Sequence, residues 1–294
     1  MKWNKSALRA YVEVLALFLL LLLEDVIIVA LFSVFAGREF YTEFREGRLR
    51  PPLSIIYVAV LYSVVLLTII LYWRRISGST LRDCGHEVTA SSRREFGEGS
   101  IVAAIAFIIF FGVLAASGAA SLASSEIIRK ITPLSFFGHV ALNVLVCFAL
   151  AWTEELFFRG VVMHIFLKRV TALHAVIATS ALFALCHMFC HGSLLMKLFF
   201  GISLFLLGVI LALMVLRTGH LWMGIGFHST LIFLSMLKDY FQILKLQSGP
   251  WAWLYGLSSN PQAGLWSIIV FLSVILYIRK IPFVKRSEAK EHLA

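Results

Sequence analysis

The chain has 294 residues, 60% of them hydrophobic, and a formal net charge of +10. Soluble domains carry about 45–50% apolar residues, so the composition excludes an ordinary soluble domain and requires membrane helices that satisfy their own backbone in lipid. The positive charge does not signal nucleic acid: Lys and Arg fall mostly in short loops and at the ends of apolar runs, where they orient a membrane protein and can touch anionic lipid heads.

The first apolar run, Tyr11 to Ala36, follows Lys2, Lys5 and Arg9. It is longer than a signal-peptide core and is interrupted by Glu24 and Asp25, so it reads as a first membrane helix that is left in place. These two mid-span carboxylates are second-ranked site candidates; otherwise they are expected to face a polar cavity or a basic partner. A charged loop from Gly37 to Arg50 leads through Pro51-Pro52 to a second run, Leu53 to Trp73. The long polar stretch Arg74 to Gly99 is expected to be a cytosolic loop with some interfacial helix. A third run covers Ser100 to Leu122, and the small residues AASGAASLASS at its end suit close helix packing.

The fourth run starts near Phe136 and continues to about Phe166, with Lys168 and Arg169 marking a turn. The fifth is Leu173 to about Cys190, the sixth Leu194 to Leu216, and the seventh His220 to Leu237 after a break at Arg217-Thr218-Gly219. A loop rich in Trp251, Trp253 and Tyr255 suits an interfacial segment. The eighth run is Leu265 to Ile281. The expected fold is therefore all-α, a polytopic membrane bundle of about eight transmembrane helices, forming one integral membrane domain over residues 1–294. Both termini are expected in the cytoplasm, since basic residues concentrate on that set of loops.

The fourth run carries Glu154, Glu155 and Arg159 in the stretch ALAWTEELFFRGVVMH. Ionisable groups at membrane depth are expensive, so a cluster of three is by default a functional site. On a helix, Glu155 and Arg159 share a face and can pair, while Glu154 is rotated by about 100°. One carboxylate can thus be held by Arg159 while the other stays available. The fourth and fifth runs form a hairpin turning near Val170-Thr171, and Glu154 and His187 lie about equally far from that turn. His228, near the middle of the seventh run, has a depth that allows it to join them. A carboxylate and imidazoles facing one water suffice for general-base hydrolysis, and a second imidazole can donate to an oxyanion.

EELFFR at 154–159, FALCH at 183–187 and the helix around GFH at 226–228 resemble the three motifs of the CAAX-processing and bacteriocin-processing (CPBP, "Abi") family of intramembrane glutamic endopeptidases. The resemblance covers a core at about 136–237. It implies that Glu154 and His187 activate a water, that His228 donates to the oxyanion, and that Glu155, Arg159 and Phe183 support them. It further implies a membrane-associated protein or peptide as substrate and the cell membrane of a prokaryote as location. The departure is at Ile232, where the family's Asn would fall. Either His228 works alone, another polar group substitutes, or the activity is altered or lost.

No cofactor is called for. The competing metal reading takes Glu154, His187 and His191 as ligands, since H-x-x-x-H puts two imidazoles on one helix face. An H-E-x-x-H zinc protease, however, needs Glu where this chain has Met188. Cys84, Cys147, Cys186 and Cys190 suggest neither a disulfide nor a thiolate metal site. The alternative function is a non-proteolytic membrane scaffold or regulator. A transporter would show paired, broken spans in two halves, which are absent.

Overall fold

The computed structural model describes residues 5–45, 53–76, 78, 80–123, 125–188, 193–247, 249, 251–257 and 260–281. Helices occupy the apolar runs. In chain order they are α1 (Lys5–Phe35), α2 (Arg38–Arg45), α3 (Leu53–Leu71), α4 (Ser92–Ala116), α5 (Glu126–Lys130), α6 (Pro133–Glu155), α7 (Met163–Leu167), α8 (Ala172–His187), α9 (Leu194–Thr218), α10 (Trp222–Tyr240), α11 (Ala252–Tyr255) and α12 (Leu265–Ile278). Single π-helical turns follow α3 at Tyr72–Ile76 and α6 at Leu156–Val162. Among the described residues, five segments are long and apolar enough to cross a membrane: Lys5–Phe35, Ile56–Arg75, Ser92–Ala116, Pro133–Leu167 and Leu194–Thr218. Ala172–His187 and Leu265–Ile278 are shorter apolar helices. The protein is an all-α integral membrane protein.

The helix ends follow local chemistry. Thr132, Thr171 and Ser193 accept from the backbone N–H three residues on and so cap α6, α8 and α9, a role that suits short hydroxyl side chains. Pro133 begins α6, where its missing N–H costs nothing. Gly219 ends α9 at φ +78, a left-handed cap that an L side chain would strain.

The chain divides into two compact units, 1–81 with 164–170, and 82–163 with 171–294. In the first, α1 and α3 pair through carboxylates and hydroxyls. Tyr57 donates to Asp25 at 2.6 Å, Thr68 to Glu24 at 2.6 Å and Tyr72 to Glu13 at 2.5 Å. Arg169 also pairs with Glu13 at 2.7 Å. Among the described residues, Glu24 and Asp25 thus bond to hydroxyls of α3, a way to satisfy carboxyl groups between helices in lipid. Ile28, Phe40 and Tyr57 form the buried core beside them.

The second unit is built on α10, which packs against α4, α6 and α9. Phe96 meets Gly226, and Lys238 lies over Phe111, so α4 and α10 run parallel. Phe136 meets Phe241 and Glu155 meets His228, so α6 runs opposite to them. α4 and α10 touch backbone to backbone. A Cβ at Gly226 would sit 2.1 Å from the Phe96 carbonyl oxygen, and one at Gly99 would sit 2.0 Å from that of Met223. Gly226→Ala is therefore expected to force the helices apart and cost about 3 kcal/mol, the upper range for overpacking. Thermal unfolding in detergent checks this.

The described part of the stretch AASGAASLASS beyond α4 forms a turn and a strand rather than helix. α4 ends at Ala116, and Ala120–Leu122 (β1) pairs antiparallel with Leu244–Leu246 (β2). Gly118, at φ +75, lets the chain leave the helix and become a strand.

At the opposite end of α10, the corner after α9 is latched to α4 by His220 Nδ1 and Glu95 Oε1, 3.1 Å apart. The hydrogen bond and charge of Glu95, with a smaller contribution from Glu87, outweigh desolvation and raise the His220 imidazole above its ordinary range. A group raised on folding stabilises fully below its unfolded value of about 6.5, and that contribution is lost as pH rises through the raised value. Unfolding curves across that window should show this decline, and Glu95→Gln should flatten it.

Candidate active site

α6 ends at Glu155, and the π turn begins immediately after it. Such widened turns recur at functional sites because they re-aim side chains. Here the turn carries Arg159, whose side chain is 0% exposed. Arg159 Nη1 donates to Glu155 Oε1 at 2.9 Å and Nη2 to the Gly208 carbonyl of α9 at 3.3 Å. Its guanidinium also lies 4.6 Å from the centre of the Phe183 ring, a favourable cation–π contact. The turn fits closely because Gly160 faces Cys84, where an added Cβ would lie 3.3 Å from the Cys84 Cβ.

Glu155 Oε1 has a second partner, His228 Nδ1, at 2.9 Å. His228 Nε2 then points at Glu154 Oε2, 3.8 Å away. From the other side, His187 at the end of α8 brings its Nε2 to 3.6 Å from the same oxygen. The Phe183 carbonyl holds His187 Nδ1 at 2.8 Å. Phe183 is thus a hub: its ring supports Arg159, stacks near His187 at 4.5 Å and meets the His228 ring at 5.9 Å. Glu154 and His187 are partly accessible, at 16% and 34% side-chain exposure, while Glu155 is fully buried. The exposed pair can meet a substrate; the buried pair behind it can only organise.

The structure therefore brings Glu154, His187 and His228 together, with Glu155, Arg159 and Phe183 supporting them. His191 and Cys190 lie outside the described residues. Among the described residues no group of three His, Cys, Asp or Glu is arranged to hold a metal ion. Ile232 lies one turn beyond His228 on α10 and is half-buried. Cys84 is no candidate nucleophile, since burial pushes its thiol up to about 12. Two contributors escape sequence reasoning. Gly208 offers only a carbonyl. Gly224 leaves room for the carboxylate, since a Cβ there would approach Glu155 Oε2 to 3.3 Å.

Residues 136–234 match the family model for Type II CAAX prenyl endopeptidase Rce1-like. The chain carries an Rce1-like domain. The matched segment runs from α6 to α10 and holds every residue of the cluster. It supports a hydrolase of the CAAX protease type, embedded in the membrane and acting on protein. No curated protein and no solved structure matches the chain.

Proposed function

We propose that the Rce1-like domain is a glutamic intramembrane endopeptidase that hydrolyses a peptide bond of a membrane-associated protein or peptide without a metal. The observation that carries this reading is the approach of His187 Nε2 and His228 Nε2 to the single oxygen Glu154 Oε2, at 3.6 and 3.8 Å. A water between Glu154 and His187 donates one hydrogen to each. The carboxylate takes one proton as the water oxygen attacks the scissile carbonyl carbon. The carbonyl π pair moves onto oxygen, and the oxyanion accepts from His228 Nε2. When the intermediate collapses, the C–N bond breaks and the proton held by Glu154 passes to the leaving nitrogen. The products are an acid and an amine, and Glu154 is again a carboxylate.

Cleavage of candidate membrane peptides by the purified protein tests this reading. Activity is expected to survive strong chelators, and His228→Ala to lower kcat by about a hundredfold or more, the usual cost of deleting an oxyanion donor. Loss with chelator and recovery with zinc would overturn the glutamic mechanism and promote Glu154, His187 and His191 to ligands. A second reading, a non-proteolytic membrane scaffold, draws on Ile232, which supplies no second donor. Full cellular function of Glu154→Ala would favour it.

A further inference from the structure

In the second unit α12 packs against α4 and α9. Trp266, at the start of α12, donates through Nε1 to the Phe110 carbonyl of α4 at 3.2 Å. Beyond the other end of α12, the Ile281 carbonyl accepts from Arg217 at the end of α9, and the corner after α9 is latched to α4 at Glu95. The two helices are therefore antiparallel, and the end of α12 lies level with the start of α4. Between them runs a groove of about 450 Å³, lined on α4 from Glu98 to Ile109 and on α12 from Trp266 to Tyr277. Its walls are mostly Ile and Val. Ile101, Ile105, Ile109 and Ile269 are each at least 41% exposed, so no described part of the chain fills it.

Length and charge identify an occupant. From Glu98 to Ile109 the groove follows α4 for about 16 Å, at 1.5 Å per residue. That is half of the roughly 30 Å hydrocarbon thickness. The groove has the depth of one leaflet, which suits a single acyl chain and is too short for a helix that crosses the bilayer. The helical repeat carries both walls past its mouth. Arg94 stands one turn before Glu98, and Lys280 two turns after Ser273; both are exposed. Arg94 gives its Nε to Glu98 at 2.7 Å, which leaves its two terminal nitrogens, the fork that suits a phosphate. Arg94, Lys280 and Glu98 sum to one positive charge, which one phosphodiester neutralises. Tyr277 stands exposed at the same mouth, as a ring at headgroup level does.

We propose that the α4–α12 groove is a lipid site. It takes one acyl chain of a glycerophospholipid with a single net negative charge, phosphatidylglycerol being the simplest, and the phosphate sits between Arg94 and Lys280. The basic-residue bias puts this mouth in the cytoplasmic leaflet, whose anionic lipids attract Lys and Arg. Glu98 holds the Arg94 side chain in place and repels a second anion, so one lipid satisfies the site.

Native mass spectrometry of the full chain, delipidated in detergent and titrated with phosphatidylglycerol or phosphatidylcholine of equal chain length, tests this. The first phosphatidylglycerol is expected to bind more tightly than phosphatidylcholine. The double variant R94Q/K280Q should weaken it about thirtyfold, since each basic residue near an anionic headgroup counts for about fivefold. Ile105→Trp places a bulky ring in the groove at a lipid-exposed position and should weaken the same lipid. Dihexanoyl-phosphatidylglycerol should bind poorly, and inorganic phosphate should not compete. Equal binding of the two long-chain lipids by the wild type overturns the proposal, whether or not the variants fold. So does an affinity that neither the double variant nor Ile105→Trp changes. Competition by inorganic phosphate alone would make this a plain anion site, and a dimer in place of lipid, abolished by Ile105→Trp, would give the groove to a second copy. None of these measurements needs a substrate, so they stand apart from the protease reading.

Discussion

Glu154→Gln is expected to lower kcat by about three to four orders of magnitude, the upper range for loss of a general base, in a protein that still folds. The substitution keeps the side chain's shape and removes only its ability to take a proton. The ion pair with Arg159 belongs to Glu155, so the support of the π turn is left intact. Of the two adjacent carboxylates, only Glu154 has both side-chain exposure and an oxygen facing both imidazoles. His187 cannot replace it: its Nε2 can accept a hydrogen bond from the water, but the base that drives attack is gone. Single-turnover cleavage and thermal unfolding, measured side by side, check both halves of the expectation.

Arg159→Ala should act in the opposite way, on the fold first. It removes the partner of a carboxylate that is 0% exposed, and breaking a buried pair from one side costs about 3–5 kcal/mol. The Gly208 carbonyl loses its donor and the Phe183 ring its cation. Folded yield and the unfolding temperature in detergent should both drop, with activity falling because Glu155 also holds His228. An unchanged unfolding temperature with lost activity would instead place Arg159 in the chemistry.

Much of this arrangement is legible in the residues themselves. The apolar runs mark the helices, because a lipid-spanning helix has to be apolar over its whole length. The four-residue spacing of Glu155 and Arg159 foretells their pair, and the hairpin depth of Glu154 and His187 foretells their approach. The parts that are not legible depend on groups with no side-chain signature. The π turn at Leu156–Val162 has the composition of an ordinary apolar helix. Gly208 contributes a carbonyl, which any residue has. Small residues mislead where they are most abundant: the described part of AASGAASLASS beyond α4 makes a turn and a strand, whereas the tight contact comes from Gly99 and Gly226, far apart in the chain. That Glu155 joins Arg159 to His228 is visible only in three dimensions.

The claim that Glu154 activates a water, rather than attacking the peptide itself, is tested most directly by a single turnover in oxygen-18 water followed by mass spectrometry of product and protein. The mechanism predicts one solvent oxygen in the new C-terminal carboxylate and no label in the peptide that contains Glu154. Label in the Glu154 side chain would mean a covalent acyl intermediate and would contradict it.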